Sequence, residues 1–184
     1  MGAIHIPPRV KPFCAILLAS GVTLADVEGG LQQQFGAIDM RSALFPFTQT
    51  PYYDREMGAG LSRVYVTFDG LINIADLIVM KHTTNRLEAE WAAASGGRRV
   101  NLDPGYLDLA KVVLASTKDH AHRLYLGAGI YAEITLRYWR KQFQPWEWTY
   151  PDYRLPLTQA FFERLRDLYK AQLATESVPP PLAC

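Results

Sequence analysis

The spacing of apolar positions marks most of the elements before any other property is considered. The run Phe13-Cys14-Ala15-Ile16-Leu17-Leu18-Ala19 is unbroken and predicts a buried strand over 13–19. Residues 23–35 predict a helix with Thr23 as N-cap, Asp26 in the first turn and Gly36 at its end. Gly29 and Gly30 weaken that helix by roughly 1 kcal/mol each relative to alanine. Residues 37–46 predict a second strand. Over 61–68, Val64, Val66 and Phe68 alternate with Arg63, Tyr65 and Thr67, the pattern of a half-buried strand. Residues 74–93 carry a helical period, with Leu77, Met80, Leu87 and Trp91 on one side and Lys81, Asn85 and Glu88 as an adjacent stripe. Gly96-Gly97 is expected to close this helix. Residues 98–102 predict a short strand, and Asp103-Pro104-Gly105 a turn. Residues 106–115 read as a helix, although Val112-Val113-Leu114 leaves a strand reading open. A last amphipathic helix spans 156–174, with Leu157, Phe161, Leu165, Leu168 and Tyr169 on its apolar side.

The segment 121–140 predicts a hairpin. Leu124, Leu126, Ile130, Ala132, Ile134 and Leu136 share one face, and Arg123, Tyr125, Tyr131, Glu133, Thr135 and Arg137 the other. A three-residue loop, Gly127-Ala128-Gly129, keeps these faces in register and sets Arg123 opposite Glu133 and Tyr125 opposite Tyr131. A two-residue loop would mix the faces. The element order through residue 102 predicts an α+β fold with a ferredoxin-like (βαββαβ) kernel, extended by this C-terminal β-hairpin and helices. With no repeats and no internal linker, the 184 residues read as a single domain, ordered over roughly 11–174, with a frayed Pro-rich tail over 175–184.

Composition narrows the class. Hydrophobic residues make up 49% and charged residues 20%, which excludes a largely disordered chain. The net charge of +1 disfavours generic binding to nucleic acid or an anionic membrane. No run reaches the roughly 18 apolar residues of a membrane-spanning helix. The apolar run at 13–19 reads as a strand rather than a signal peptide, because it is short and follows Pro7, Pro8 and Pro12. Ile6 stands where a myristoylation signal wants Ser or Thr, and a terminal Cys184 does not form a prenylation signal. The two cysteines, Cys14 and Cys184, suit a reducing, cytoplasmic setting, with Cys14 an inert buried thiol.

Several stretches are distinctive as a set. They are Phe45-Pro46-Phe47, Tyr52-Tyr53-Asp54-Arg55-Glu56-Met57-Gly58, the run from Arg98 to Tyr106, the run from Lys118 to Gly127 with its continuation Gly129-Ile130-Tyr131-Ala132-Glu133, and the run from Trp148 to Arg154. In this order they resemble a bacterial and archaeal domain family of unknown function, the one numbered forty-four sixteen, over roughly residues 11–170. The resemblance implies one domain and little mechanism. Some members of that family are similar to proteins labelled GTP-binding. The residues here lend that label no support: there is no G-x-x-x-x-G-K-[ST] loop, and Thr117-Lys118-Asp119 lacks the spacer of a guanine-reading motif.

Candidate chemistry gathers near one turn. Lys111, Lys118, His122 and Arg123 supply donors suited to a phosphate or carboxylate, Arg as a planar fork, Lys as a mobile charge and His as a proton carrier. The bland alternative is a solvated rim with Arg123 paired to Glu133. Asp103 and Glu133, with His122, are the acid/base candidates, Glu133 being weakened if it spends its charge on Arg123. Tyr125 and Tyr131 would line the same site, and Lys81, Asn85 and Glu88 would form one wall. His120, His122 and Asp119 make a weak metal set, since residues i and i+2 of a strand point the same way. A divalent metal cofactor is therefore an open expectation.

The aromatic loop around Tyr52-Tyr53 reads as packed rather than as a lid. The stretch Trp139, Trp146, Trp148, Tyr150 and Tyr153 reads as an extended wrap over the body of the fold. The leading expectation is binding of a small anionic ligand, nucleotide or phosphorylated, with hydrolase or group-transfer chemistry. The alternatives are a non-catalytic interaction or homo-oligomeric assembly module and a metal-dependent hydrolase. A concave pocket holding Arg123, Tyr125, Tyr131, Glu133, Lys118 and Asp103 favours the first, and a flat face covered by another copy the second.

Overall fold

The first apolar run becomes β1 (Lys11–Leu18), every residue of which is buried. A computed structural model describes residues 3–94 and 96–176, so most of the Pro-rich tail lies outside the described residues. After β1 come α1 (Leu24–Phe35), β2 (Ile38–Arg41), β3 (Phe45–Pro46), α2 (Asp54–Met57), β4 (Ser62–Phe68) and α3 (Asp76–Glu90). The chain continues through β5 (Val100–Leu107), β6 (Lys111–Ser116), β7 (Arg123–Gly127), β8 (Ile130–Trp139) and β9 (Gln142–Pro145). A 3-10 turn over Pro151–Arg154 leads into α4 (Pro156–Thr175). One antiparallel sheet runs in the order β2-β4-β1-β5-β6-β8-β7, with β3 on β4 and β9 on β8. The fold is α+β.

Helices cover both faces of the sheet. Cys14, Ile16, Val64, Val66 and Leu102 pack under Val27 and Leu31 of α1 and Met80 and Leu87 of α3. Phe13, Tyr65, Leu107, Val112 and Leu136 pack under Phe161, Phe162, Leu165 and Tyr169 of α4. This double cover corrects the half-buried reading of 61–68. Arg63, Tyr65 and Thr67 are buried too, because α4 and the 3-10 turn seal their face, with Tyr65 5.6 Å from Phe161 and 5.3 Å from Tyr153 between ring centroids. On α4 the buried stripe is Thr158, Phe161, Phe162, Leu165 and Tyr169, one position rotated from expectation, and Leu157 is exposed. Thr23 sits at the N-cap of α1, but its hydroxyl makes no capping bond. Gly30 has a packing reason: a Cβ there would lie 2.8 Å from the ring of Trp91, which follows α3. With Trp91 at its C-cap, α3 ends several residues before Gly96.

Three local readings change. The predicted strand 37–46 is two pieces, β2 and β3, split at Ser42–Leu44. Asp103-Pro104-Gly105 is no turn but the middle of β5, paired with Ala15, Cys14 and Phe13 of β1. β6 pairs only with Gly105–Leu107, so the β6 side of β5 is open at Pro104, where a missing N–H breaks no ladder. Gly105 is needed because a Cβ would lie 2.4 Å from the Val113 carbonyl oxygen and 2.6 Å from the Phe13 ring. The turn itself falls at 108–110, where the Asp108 carboxylate accepts from the backbone N–H of Ala110 and Lys111. Residues 106–115 are therefore strand, turn and strand rather than helix.

Gly127 pairs with Ile130, so the loop is the two residues Ala128-Gly129 rather than three, with a bulge at Leu126. The hairpin register is nevertheless as read, with Arg123 opposite Glu133 and Tyr125 opposite Tyr131. Its faces are not. A register shift pairs Val112 with Leu136 but Val113 with Ile134, so Thr135 is the extra residue of a β-bulge. The bulge flips the parity of β8, setting Leu136 on the face of Glu133 and leaving Ile134 on the other. Glu133 and Thr135 are buried, whereas Leu124 is 73% exposed.

Candidate functional site

β5 and β6 part company after Gly105 and Leu114. β5 continues along β1 toward Val100, and β6 along β8 toward Ser116. A gap therefore opens between two strands of the same sheet. Residues i and i+2 of a strand share a face. Asn101 and Asp103 of β5 thus lie on the face away from α1 and α3, together with Leu17 and Ala15 of β1. Lys81, Asn85 and Glu88 approach from α3 on the opposite side. A cavity of about 170 Å³ fills the gap, with Tyr52, Tyr53, Arg98, Lys118, Arg123, Glu133 and Tyr150 among its other lining residues.

Polar contacts link its walls. Lys81 Nζ donates to the Leu102 carbonyl at 3.0 Å and lies 3.6 Å from Asp103 Oδ1. Asn101 Nδ2 donates to Asp103 Oδ2 at 2.7 Å. Arg98 Nη1 donates to Asn101 Oδ1 at 2.6 Å, while its Nε and Nη2 grip Glu56, each at 2.7 Å. Glu88 Oε1 accepts from the Leu102 N–H at 2.6 Å. Burial pushes the Glu88 carboxyl above the usual range, against the pull of Lys81. Burial likewise raises the phenols of Tyr53 and Tyr150, so both stay protonated near neutral pH.

Arg123 and Glu133 form the opposite wall. Arg123 Nε and Nη2 lie 3.0 and 2.9 Å from Glu133 Oε2. Arg123 Nη1 donates to the Ser116 hydroxyl and the Lys118 carbonyl, and Nη2 to the Tyr150 hydroxyl. Four of the five N–H donors of Arg123 make hydrogen bonds, and its Nη2 also lies in ion-pair contact with Glu133. Glu133 also meets His122 Nε2 at 3.1 Å and Thr135 at 3.2 Å. This pair shapes the cavity and keeps little capacity for a ligand. Lys118 differs. Its Nζ donates to the Tyr52 hydroxyl at 2.8 Å, so its partner is a phenol rather than a carboxylate. That contact lowers the Tyr52 pKa.

A second cavity of about 330 Å³ adjoins the first and shares Tyr52, Tyr53, Asp103, Lys118 and Tyr150 with it. Phe47, Arg63, His120, Pro151 and Tyr153 complete much of its wall.

The sequence-read residues Lys81, Asn85, Glu88, Asp103, Lys118, Arg123 and Glu133 therefore meet at one cavity. Others lie elsewhere. Lys111 pairs with Asp108 at the other end of β6. Tyr125 and Tyr131 pack on each other, 5.2 Å between centroids, outside both cavities. His122 stands behind Glu133, its ring stacked on Trp148 at 5.2 Å, and His120 stacks on His122 at 5.8 Å. Asp119 lines neither cavity. Among the described residues, no three His, Cys, Asp or Glu side chains group closely enough to hold a metal ion.

Cavity residues outside the sequence-read ligand set include Arg98, Asn101, Ser116 and Tyr150, with Arg63 at the second cavity. Arg98 and Asn101 are two residues before Val100 and two before Asp103, and the strand period that places Asp103 in the cleft also places Asn101 there. Arg63 carried a signal in sharing a strand face with Tyr65. Of the aromatic stretch, Tyr153 is core, while Trp139, Trp148 and Tyr150 keep exposed surface.

Among the described residues, no helix is long and apolar enough to cross a membrane. No curated protein and no solved structure matches the chain. A family model does, described as a domain of unknown function (DUF4416), and it matches residues 8–169. That span takes in β1 through most of α4 and every residue of the cleft, so the chain belongs to the DUF4416 family.

Proposed function

We propose that the cleft between β5 and β6 binds a small anionic compound, a nucleotide or another phosphorylated molecule, and supports its hydrolysis or group transfer. The observation that carries this reading is the convergence of Lys81, Glu88, Asp103 and Lys118 on one cavity from two separate elements and a loop. Lys118 contacts the anion, since its ammonium has no carboxylate partner to give up. Asp103, 29% exposed at its side chain, is the acid/base group that a ligand reaches. Glu88 serves as a buried proton reservoir beside it. Glu133 and Arg123 act as positioning residues. The aromatic neighbouring cavity, within the size range of ligand sites, accepts a ring.

Isothermal titration of the full chain with inorganic phosphate and with ADP tests the reading. Binding of either that weakens at least tenfold in Lys118→Met is the expected result, the size of one lost charge-assisted hydrogen bond. No binding of either at millimolar concentration sinks it.

One observation favours an assembly role as the second reading. β7 ends the sheet and exposes Leu124, Tyr125 and Leu126 in succession. An edge of this kind suits pairing with a second copy. A dimer by light scattering that reverts to monomer in Leu124→Lys supports that reading. A monomer at all concentrations ends it.

We also assign β1, α1, β2, β4, α3 and β5 to a ferredoxin-like kernel. Its support is the strand order β2-β4-β1-β5, antiparallel throughout, with both helices on one face. A cytoplasmic setting is supported by the small cysteine count and by Cys14, buried and free among the described residues.

A further inference from the structure

Arg63 is a charged residue in the interior with an unfinished set of contacts. It lies on β4 between Ser62 and Val64, on the face sealed by the 3-10 turn, and its side chain is 4% exposed. Asp152 Oδ2 lies 3.1 Å from its Nε, out of line for a hydrogen bond, so among the described residues Nε and Nη1 both lack a hydrogen-bond partner. The same Asp152 oxygen accepts from the Tyr65 hydroxyl at 3.0 Å. Arg63 lines the larger cavity, with its guanidinium 5.1 Å from the centroid of the Phe47 ring. Tyr153, lining the same cavity, is buried with a hydroxyl that also has no partner. Unpaired buried donors are expensive, and native proteins leave few without a function. Three such donors on two residues that line one cavity call for an acceptor-rich group. The wall also carries the rings of Phe47, Tyr52, Tyr53 and Tyr150, beside the carboxylates of Asp103 and Asp152. Lys118 at the shared boundary supplies a positive charge not cancelled by a carboxylate.

We infer that the larger cavity is a binding site for a planar ring acid, whose carboxylate or phosphate is held by Arg63 and Tyr153 while its ring lies among Phe47, Tyr53 and Tyr150. The inference rests on the reading of the cleft as a site for small anions and deepens it by naming a second anchor and a ligand class. The planar guanidinium matches a two-oxygen acid group in a way that a lysine does not. Asp152 holds Arg63 in place and balances its charge, and Lys118 balances that of the ligand.

Titration of the full chain with benzoate and with phenyl phosphate, followed by NMR, tests the inference. Tyr153→Phe removes only an unpartnered hydroxyl, so it leaves the fold intact, and it weakens binding by about tenfold. Arg63→Lys keeps the charge beside Asp152 and loses the fork. It weakens binding further, and a thermal melt checks that it still folds. If the ring acids bind the unaltered chain and Tyr153→Phe binds them equally well, Arg63 and Tyr153 have only a structural role and the inference fails. Binding lost in Lys118→Met yet retained in Tyr153→Phe overturns the inference and leaves the cleft reading standing. If phosphate, ADP and both ring acids all fail to bind, both readings fall.

Discussion

Arg123 and Glu133 face each other across the β7–β8 ladder, and two guanidinium nitrogens share a single carboxylate oxygen, Glu133 Oε2, at 3.0 and 2.9 Å. Both side chains are sealed, at 3% and 1% exposure. The pair joins the hairpin to Ser116, Lys118 and Tyr150, and so holds the cleft's outer wall.

Removing one member strands the other. Arg123→Ala leaves a buried, uncompensated carboxylate and is expected to cost about 3–5 kcal/mol in urea denaturation. The double variant Arg123→Met/Glu133→Leu recovers a large part of that loss, because no buried charge remains. Equal losses in the single and double variants contradict this account.

Gly105→Ala tests the packing at the centre of β5. The added Cβ meets a backbone oxygen and the Phe13 ring, neither of which has room to yield. A loss of about 3 kcal/mol is expected by chemical denaturation. A change below about 0.5 kcal/mol contradicts the close approach of β5 and β6 there.

Glu88 makes stability depend on pH. Its folded pKa is raised above the ordinary value of 4.5 by burial. Between 4.5 and that raised value the unfolded chain has released the proton while the folded chain still holds it. The group's contribution is therefore fully present below pH 4.5 and is lost as pH rises through the folded pKa. Glu88→Gln keeps an acceptor for the Leu102 N–H and removes the titration. Urea midpoints from pH 4 to pH 8 should show the unaltered chain falling behind Glu88→Gln as pH rises. A constant offset between the two rules out the linkage.

Cys14 is fully buried in β1, and burial pushes its thiol far up. In Cys184→Ser it is the sole cysteine. A thiol reagent at pH 8 should label none of it in the native chain and one equivalent in denaturant. Rapid native labelling shows β1 to be open on the timescale of the reaction.

Local pattern carried much of this. The continuous run at 13–19 located a strand buried on both faces, because only such a strand tolerates apolar residues at every position. The polar stripe Lys81-Asn85-Glu88 was legible from helical period, and the pairing of Arg123 with Glu133 from the alternation of the hairpin strands, although the loop is one residue shorter than read and a bulge at Leu126 makes up the difference. The α+β class followed from element order. Seven residues of the cleft were named from chemistry and period alone.

What local pattern missed was decided by segments far away in the chain. Arg63 alternates with valines, and period two reads it as facing water. Only the 3-10 turn over Pro151–Arg154, far later in the chain, encloses it, through Asp152. Asp103-Pro104-Gly105 has the composition of a turn, yet β1 pairs with it on one side while β6 leaves Pro104 open on the other. The bulge at Thr135 flips Leu136 to the face of Glu133, and nothing in the alternation of β8 announces it. The cleft arises for the same reason. Side-chain periodicity is a property of one element and was determined by the sequence itself. Which face is covered, and where two strands separate, depends on contacts between distant segments, and those exist only once the sheet is assembled.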